Sequence, residues 1–197
     1  MVAVTPNGPF HPEEWQTYVH EEVWRGLKDS QKVWGSFLWC MFDFPSGWRR
    51  EGGLVALNDK GLVTHDRKLR KDAYFFYKAN WNPEPMIYIA SRDWQTRAGV
   101  KNDSSLIDVY SNAREVTFLL NGKSLGKKKT NDIGKTSWRV KLNDNDNLLV
   151  ASGKINGKKV YDSLHITYHA YDTLLANYFN SSNFLRINVG SNAQFRD

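Results

Sequence analysis

The chain is 197 residues long, with 41% hydrophobic residues and 14% aromatic ones, eight of them Trp. That is far too much apolar material for a disordered tail, and enough to build one large domain or two small ones. The formal net charge of +6 comes without an RNP-like or helix-turn-helix pattern, so it reads as solvated surface and no nucleic-acid partner is expected.

In chain order, Pro12, Glu13 and Glu14 have the composition of a helix first turn, with acids at the positive end of the dipole. Trp15, Val19, Val23 and Leu27 then recur every fourth residue, and Tyr18 and Trp24 widen the stripe. This predicts an amphipathic helix of about five turns that ends near Asp29 and Ser30. The run Val33–Phe44 is apolar without alternation, which predicts a strand covered on both faces, with Cys40 buried in it. At a dozen residues with Asp43 inside, it is too short to span a membrane, and no other stretch is longer. A second helix is predicted from about Arg67 to Asn80, with Leu69, Ala73, Phe76, Tyr77 and Asn80 facing inward. Helix, buried strand, long loop and helix make an α/β pattern with a parallel strand. One strand cannot make a sheet, so either this region is part of something larger or another chain, as in a homo-oligomer, covers its apolar faces.

The chain changes character at Trp81–Pro85, where two prolines stop the helix and mark a domain boundary. Beyond it, short strands are predicted at MIYIAS, LIDVYS, REVTFLL, SWRVKL, NLLVASGK and KVYDSLHITY. Val116, Phe118 and Leu120, and likewise Trp138, Val140 and Leu142, alternate with polar neighbours. Asn121-Gly122 and Asn156-Gly157 are hairpin signals, and the lysines beside them mark solvated tips and sheet edges. Strands at this spacing suggest an antiparallel sandwich of about 80–90 residues. From Ala170 a Ser/Asn-containing connector leads to LRINVGSNAQFRD, an apparent further strand that stops short. The expected organisation is 1–81, 82–169 and 170–197.

The phrases FLWCMFDFPSGWRREGG and NDKGLVTHDRKLRKDAYFFYKANWNPEPMIYI resemble the end of the catalytic barrel in glycoside hydrolase family 2, particularly bacterial β-galactosidases with an added sandwich domain. HPEEWQTYVHEEVW is similar to the helix before the last barrel strand, and YSNAREVTFLLNGKSLGKK to the immunoglobulin-like domain that follows. LRINVGSNAQFRD resembles the opening of malectin-like carbohydrate-binding domains. The fold this implies is an α/β piece of a TIM barrel, 1–81, then an all-β immunoglobulin-like sandwich, 82–169, then a linker and the start of a malectin-like domain, 170–197. The chain would be a fragment of a retaining glycosidase that cleaves terminal β-galactosides.

Retaining glycosidases need two carboxyl groups about 5–5.5 Å apart. None of Glu13, Glu14, Glu21, Glu22, Glu51, Glu84 or Glu115 matches the family's catalytic motifs, so no catalytic residue is expected here and the chain alone is expected to be inactive. The resemblance gives Asp43 a structural role. It makes Trp39, at the strand end, a platform for the apolar face of a terminal sugar; core packing is the plain alternative. In the loop Asn58–Gly61, an amide and an ammonium could bind hydroxyls and a carboxylate. Asn58 and Lys60 have the Asn-x-Lys spacing with which β-glucuronidases hold the substrate carboxylate, although β-galactosidase-like enzymes also carry it and a solvated turn is the plain alternative. Asp66 and Arg67 would cap or tether the second helix, while Trp48, Arg49 and Arg50 could line the outer rim.

His165 and His169 share a strand face too far apart to chelate. One cysteine, Cys40, excludes paired-cysteine zinc sites, and no glycine-rich phosphate loop is present, so no cofactor or metal is expected. The alternatives to a β-galactosidase are a β-glucuronidase or other uronidase, and a non-catalytic carbohydrate-binding or scaffold module. Family analogy suggests a periplasmic or secreted bacterial protein, although the N-terminal segment MVAVTPNGPF lacks the basic and apolar regions of a signal peptide.

Overall fold

The computed structural model describes residues 12–50 and 55–171. The expected start of a further domain lies, from residue 172 onward, outside the described residues.

Two helices, α1 (Glu13–Leu27) and α2 (Asp72–Trp81), precede most of the strands. Between them, among the described residues, lie only the two-residue strands β1 (Phe44–Pro45) and β2 (Leu57–Asn58), paired antiparallel. The predicted buried strand at 33–44 is not formed. Trp34 and Phe37 are 95% and 94% exposed. Only its end is paired, where Cys40 and Met41 carbonyls accept from the Leu62 and Val63 amides and Phe42 bridges Val63 in parallel. No strand lies beside residues 33–39 among the described residues, so this apolar run has no layer to pack under. Cys40 is consequently only half-buried.

α1 also turns the other way from its apolar stripe. Thr17 and Glu21 are its buried residues, whereas Tyr18, Val19 and Val23 are exposed. Its neighbours explain this, because they offer polar groups. His20 Nδ1 lies 3.0 Å from the Tyr77 hydroxyl, and Trp24 Nε1 donates to Asn80 Oδ1 at 3.0 Å. Glu21 accepts from Lys135 Nζ at 2.9 Å and from the Tyr110 hydroxyl.

α2 starts five residues later than expected. Arg67 sits at φ +67°, in the left-handed region, and Lys71 is extended, so the helix can nucleate only after them. Leu69 is therefore outside the helix and exposed, while Ala73, Phe76 and Tyr77 are buried as expected.

The remaining strands are β3 (Ile87–Ile89), β4 (Thr96–Val100), β5 (Ser105–Ser111), β6 (Glu115–Leu120), β7 (Lys123–Lys129), β8 (Lys135–Val140), β9 (Asn145–Ile155) and β10 (Lys158–Tyr171). They form a five-stranded sheet, β4-β10-β9-β6-β7, facing a three-stranded sheet, β3-β5-β8. One pair, β4 with β10, is parallel rather than antiparallel. The two hairpins expected at Asn-Gly pairs are present, and all four of their turn residues have positive φ, as type I′ turns require.

Inward residues such as Ile89, Val109, Phe118, Trp138, Leu149 and Ile166 fill the space between the sheets. A second core lies on the outer face of the three-stranded sheet, where Tyr88, Tyr110 and Ile133 meet Ala73, Phe76 and Tyr77 of α2. Strand β3 is thus buried on both faces. The stacking order is helix, small sheet, large sheet.

Candidate functional site

Asp43 organises the loop at Asn58–Gly61. It is buried, and its Oδ1 accepts from the Gly61 amide at 2.8 Å and from Lys71 Nζ at 2.9 Å. Lys71 Nζ donates onward to the Asp59 carbonyl at 2.7 Å. The loop lies so close to the Phe42–Asp43 backbone that a Cβ on Gly61 would stand 2.1 Å from Asp43 N and 2.3 Å from Phe42 C. Only glycine fits that approach.

Asn58 Oδ1 accepts from the Lys60 amide at 3.1 Å, closing an Asx turn. From the other side, Gln16 Nε2 of α1 donates to the carbonyls of Lys60 and Gly61 at 2.9 and 3.0 Å. The backbone of Lys60 is therefore held at both its N–H and its C=O, while its side chain stays exposed.

Between α1 and this loop lies a cavity of about 450 Å³, walled by Trp15, Gln16, Val19 and His20 on one side and by Trp39 and Lys60 on the other. Trp39 is 67% exposed and rests edge-on against Phe44, with centroids 5.9 Å apart. Phe44 is only partly buried, and Phe42 is exposed with the Arg67 guanidinium 3.7 Å over its ring, so neither is a core residue. Burial holds the His20 imidazole below its ordinary pKa, which favours the neutral ring.

Two of the three carboxyl groups at this cavity, Glu13 and Asp59, are already engaged. Glu13 accepts from the Asp72 amide at the start of α2, and Asp59 lies 3.6 Å from the Arg49 guanidinium. Burial, with Asp72 and Asp93 nearby, pushes the Glu13 carboxyl up to about 9. Burial likewise raises Asp72 to about 6, against the opposing hydrogen bonds from the Ser91 amide and the Tyr88 hydroxyl. Glu13 therefore caps a neighbouring helix instead of its own.

Of the residues singled out by sequence, Trp39 and Lys60 meet at one cavity, and Asn58 is buried beneath, shaping the turn that presents Lys60. Arg49 reaches the loop, but Trp48 is 95% exposed and neither lines the cavity. Asp66 and Arg67 do not cap α2. Asp66 accepts from Thr64 and Lys68, and Arg67 donates to the carbonyls of His65 and Asp43. Gln16 and Lys71 were not recognised from sequence, since their contacts with the loop depend on the folded chain.

Residues 104–161, from β5 into β10, match a family described as Domain of unknown function (DUF4982). A β-glucuronidase of Bacteroides fragilis is 44% identical over 145 residues, covering 73% of this chain and 20% of that protein. The β-galactosidase BoGH2A of Bacteroides ovatus is 28% identical over 148 residues, covering 71% of this chain and 16% of that protein. Among solved structures, an FMN-binding β-glucuronidase from Facaelibacterium prausnitzii L2-6 superposes with a TM-score of 0.77 at 35% identity, covering 87% of this chain and 25% of that one. In sequence and fold the chain is thus similar to a segment of bacterial glycoside hydrolases. It spans 16% to 25% of the length of these three proteins.

Proposed function

We propose that this chain is a segment of a glycoside hydrolase family 2 enzyme of the retaining type, that it walls one side of the sugar site, and that the sugar is a terminal β-uronide. The carrying observation is the presentation of Lys60: its backbone is clamped by Asn58 and Gln16 while its side chain stands free at the cavity that holds Trp39. A pre-positioned ammonium suits a carboxylate, and an exposed indole suits the apolar face of a pyranose. The names of the relatives support the same choice, since β-glucuronidase recurs among them more often than β-galactosidase.

In this reading Trp39 stacks on the sugar, Lys60 pairs with its carboxylate, and Asp43, Lys71 and Gln16 hold the loop in place. The two carboxyl groups of a double displacement belong to other segments of the enzyme. The TIM-barrel piece at 1–81, the immunoglobulin-like character of 82–169 and a malectin-like start within 170–197 are parts of the same proposal.

In the full-length enzyme, Lys60→Ala is expected to lower kcat/KM for an aryl β-glucuronide by about 30- to 1,000-fold, the usual effect of truncating one partner of a close charge pair. Hydrolysis of the matching galactoside should be unaffected. Equal losses on both substrates, or none, would overturn the uronide assignment. A β-galactoside is the second reading, favoured by the Bacteroides ovatus relative.

A further inference from the structure

The outer face of the five-stranded sheet carries a second concentration of chemistry, away from Trp39 and Lys60. Along one cross-strand row, Lys127 of β7 stands opposite Thr117 of β6, Thr117 opposite Ser152 of β9, and Ser152 opposite Tyr161 of β10. At strand spacing this row runs roughly 14 Å. In the adjoining row Lys154 and Lys159 face each other.

Lys127, Thr117, Ser152, Lys154 and Lys159, with Arg114, line a groove of about 460 Å³. Its one carboxylate, Glu115, is paired to Lys127 at 2.8 Å, so four cations face one acid. Lys159 also lines a second groove, of about 370 Å³, where Tyr161 and Lys78 meet Phe75 and Pro85. Tyr161 is 74% exposed.

We propose that this face of the sandwich binds an acidic glycan, a polysaccharide bearing uronate or sulfate groups, at a surface separate from the Trp39 cavity. The chemistry matches term by term. Lysines and Arg114 supply the countercharge, the Thr117 and Ser152 hydroxyls exchange hydrogen bonds with sugar hydroxyls, and the Tyr161 ring offers a flat apolar face to one pyranose. Single-stranded nucleic acid is the poorer fit, because it is held by successive aromatic platforms, and this row has one. The inference stands whether or not the Trp39 cavity takes a uronide.

The test is affinity electrophoresis of the full chain through gels containing polygalacturonate, dextran sulfate or neutral dextran. Retardation by an acidic polymer and not by dextran is expected, weakening with salt as screening requires. The polymer that retards more strongly identifies the preferred anion. Lys154→Gln with Lys159→Gln should weaken retardation about tenfold, and Tyr161→Ala should weaken it at unchanged charge. The pair Lys32→Gln and Lys101→Gln, exposed elsewhere and equal in charge change, should leave it intact. Melting temperatures of all variants confirm that they are folded. No retardation, an equal loss in the control pair, or tighter binding of oligo(dT) than of either acidic polymer would overturn the proposal.

Discussion

The two halves of this chain solve the burial problem differently. After Trp81, inward side chains from two sheets enclose one another, and Val109, Val116, Phe118, Leu149 and Ala151 are fully buried. Before Trp81, the polar side of α1 and one side of α2 pack onto the sandwich, while Trp34, Phe37, Trp39 and Val23 remain in solvent. Large apolar side chains left this exposed suit a surface that further polypeptide covers. α1 is fixed by hydrogen bonds and an ion pair, which leaves its apolar side available, whereas α2 buries Ala73, Phe76 and Tyr77 against the sandwich. That is the arrangement expected if the remaining staves of a barrel complete the first half.

This contrast can be broken most severely within the sandwich. Phe118→Ala removes a ring stacked on Trp138 at a centroid distance of 4.8 Å, and is expected to cost about 3–5 kcal/mol, measured by chemical denaturation. At the seam between the halves, Glu21→Ala leaves Lys135 with only Asp108, 2.8 Å away, as a charged partner. A loss of about 2–3 kcal/mol is expected, below the ~3–5 of a fully orphaned buried ion.

A smaller effect comes from the cavity rim. Because burial raises the Glu13 carboxyl to about 9, the folded chain holds a proton that the unfolded chain releases above pH ~4.5. Its contribution to stability is therefore complete in acid and is lost as pH rises towards 9. Glu13→Gln should flatten the fall in melting temperature between pH 7 and 9 and raise its value at pH 9 by about 2–4 °C. Smallest of all, Trp34→Ala and Phe37→Ala should change the stability of this chain by less than about 0.5 kcal/mol, because nothing packs on them here. The same changes in the full-length enzyme should be clearly destabilising, which would sharpen the contrast.

The sandwich was the more legible half because its signals are local. Alternation at Val116 and Phe118, or at Trp138 and Val140, reports a buried face wherever the partner sheet comes from, and Asn-Gly demands its own turn. Strand β4 was missed because Thr96–Val100 has little apolar content. It is ordered by its pairing with β10, where the Tyr168 hydroxyl would stand 2.4 Å from a Cβ on Gly99.

In the first half, periodicity correctly announced α1 but not the polar face on which it packs, since a stripe shows which face seeks cover and not which neighbour the chain supplies. Val33–Phe44 went wrong for the same reason. Trp39 and Lys60 were singled out through a motif and lie at one cavity, but Gln16 gripping a loop 44 residues away had no local signature.

Hydrogen-exchange mass spectrometry, comparing this chain with the proposed full-length enzyme, tests the central claim most directly. Residues 33–39 should exchange within seconds in the chain alone and become protected by several orders of magnitude in the enzyme, as neighbouring staves pair with them, while β6 and β9 are protected in both. Equal and rapid exchange of residues 33–39 in both proteins would contradict the account.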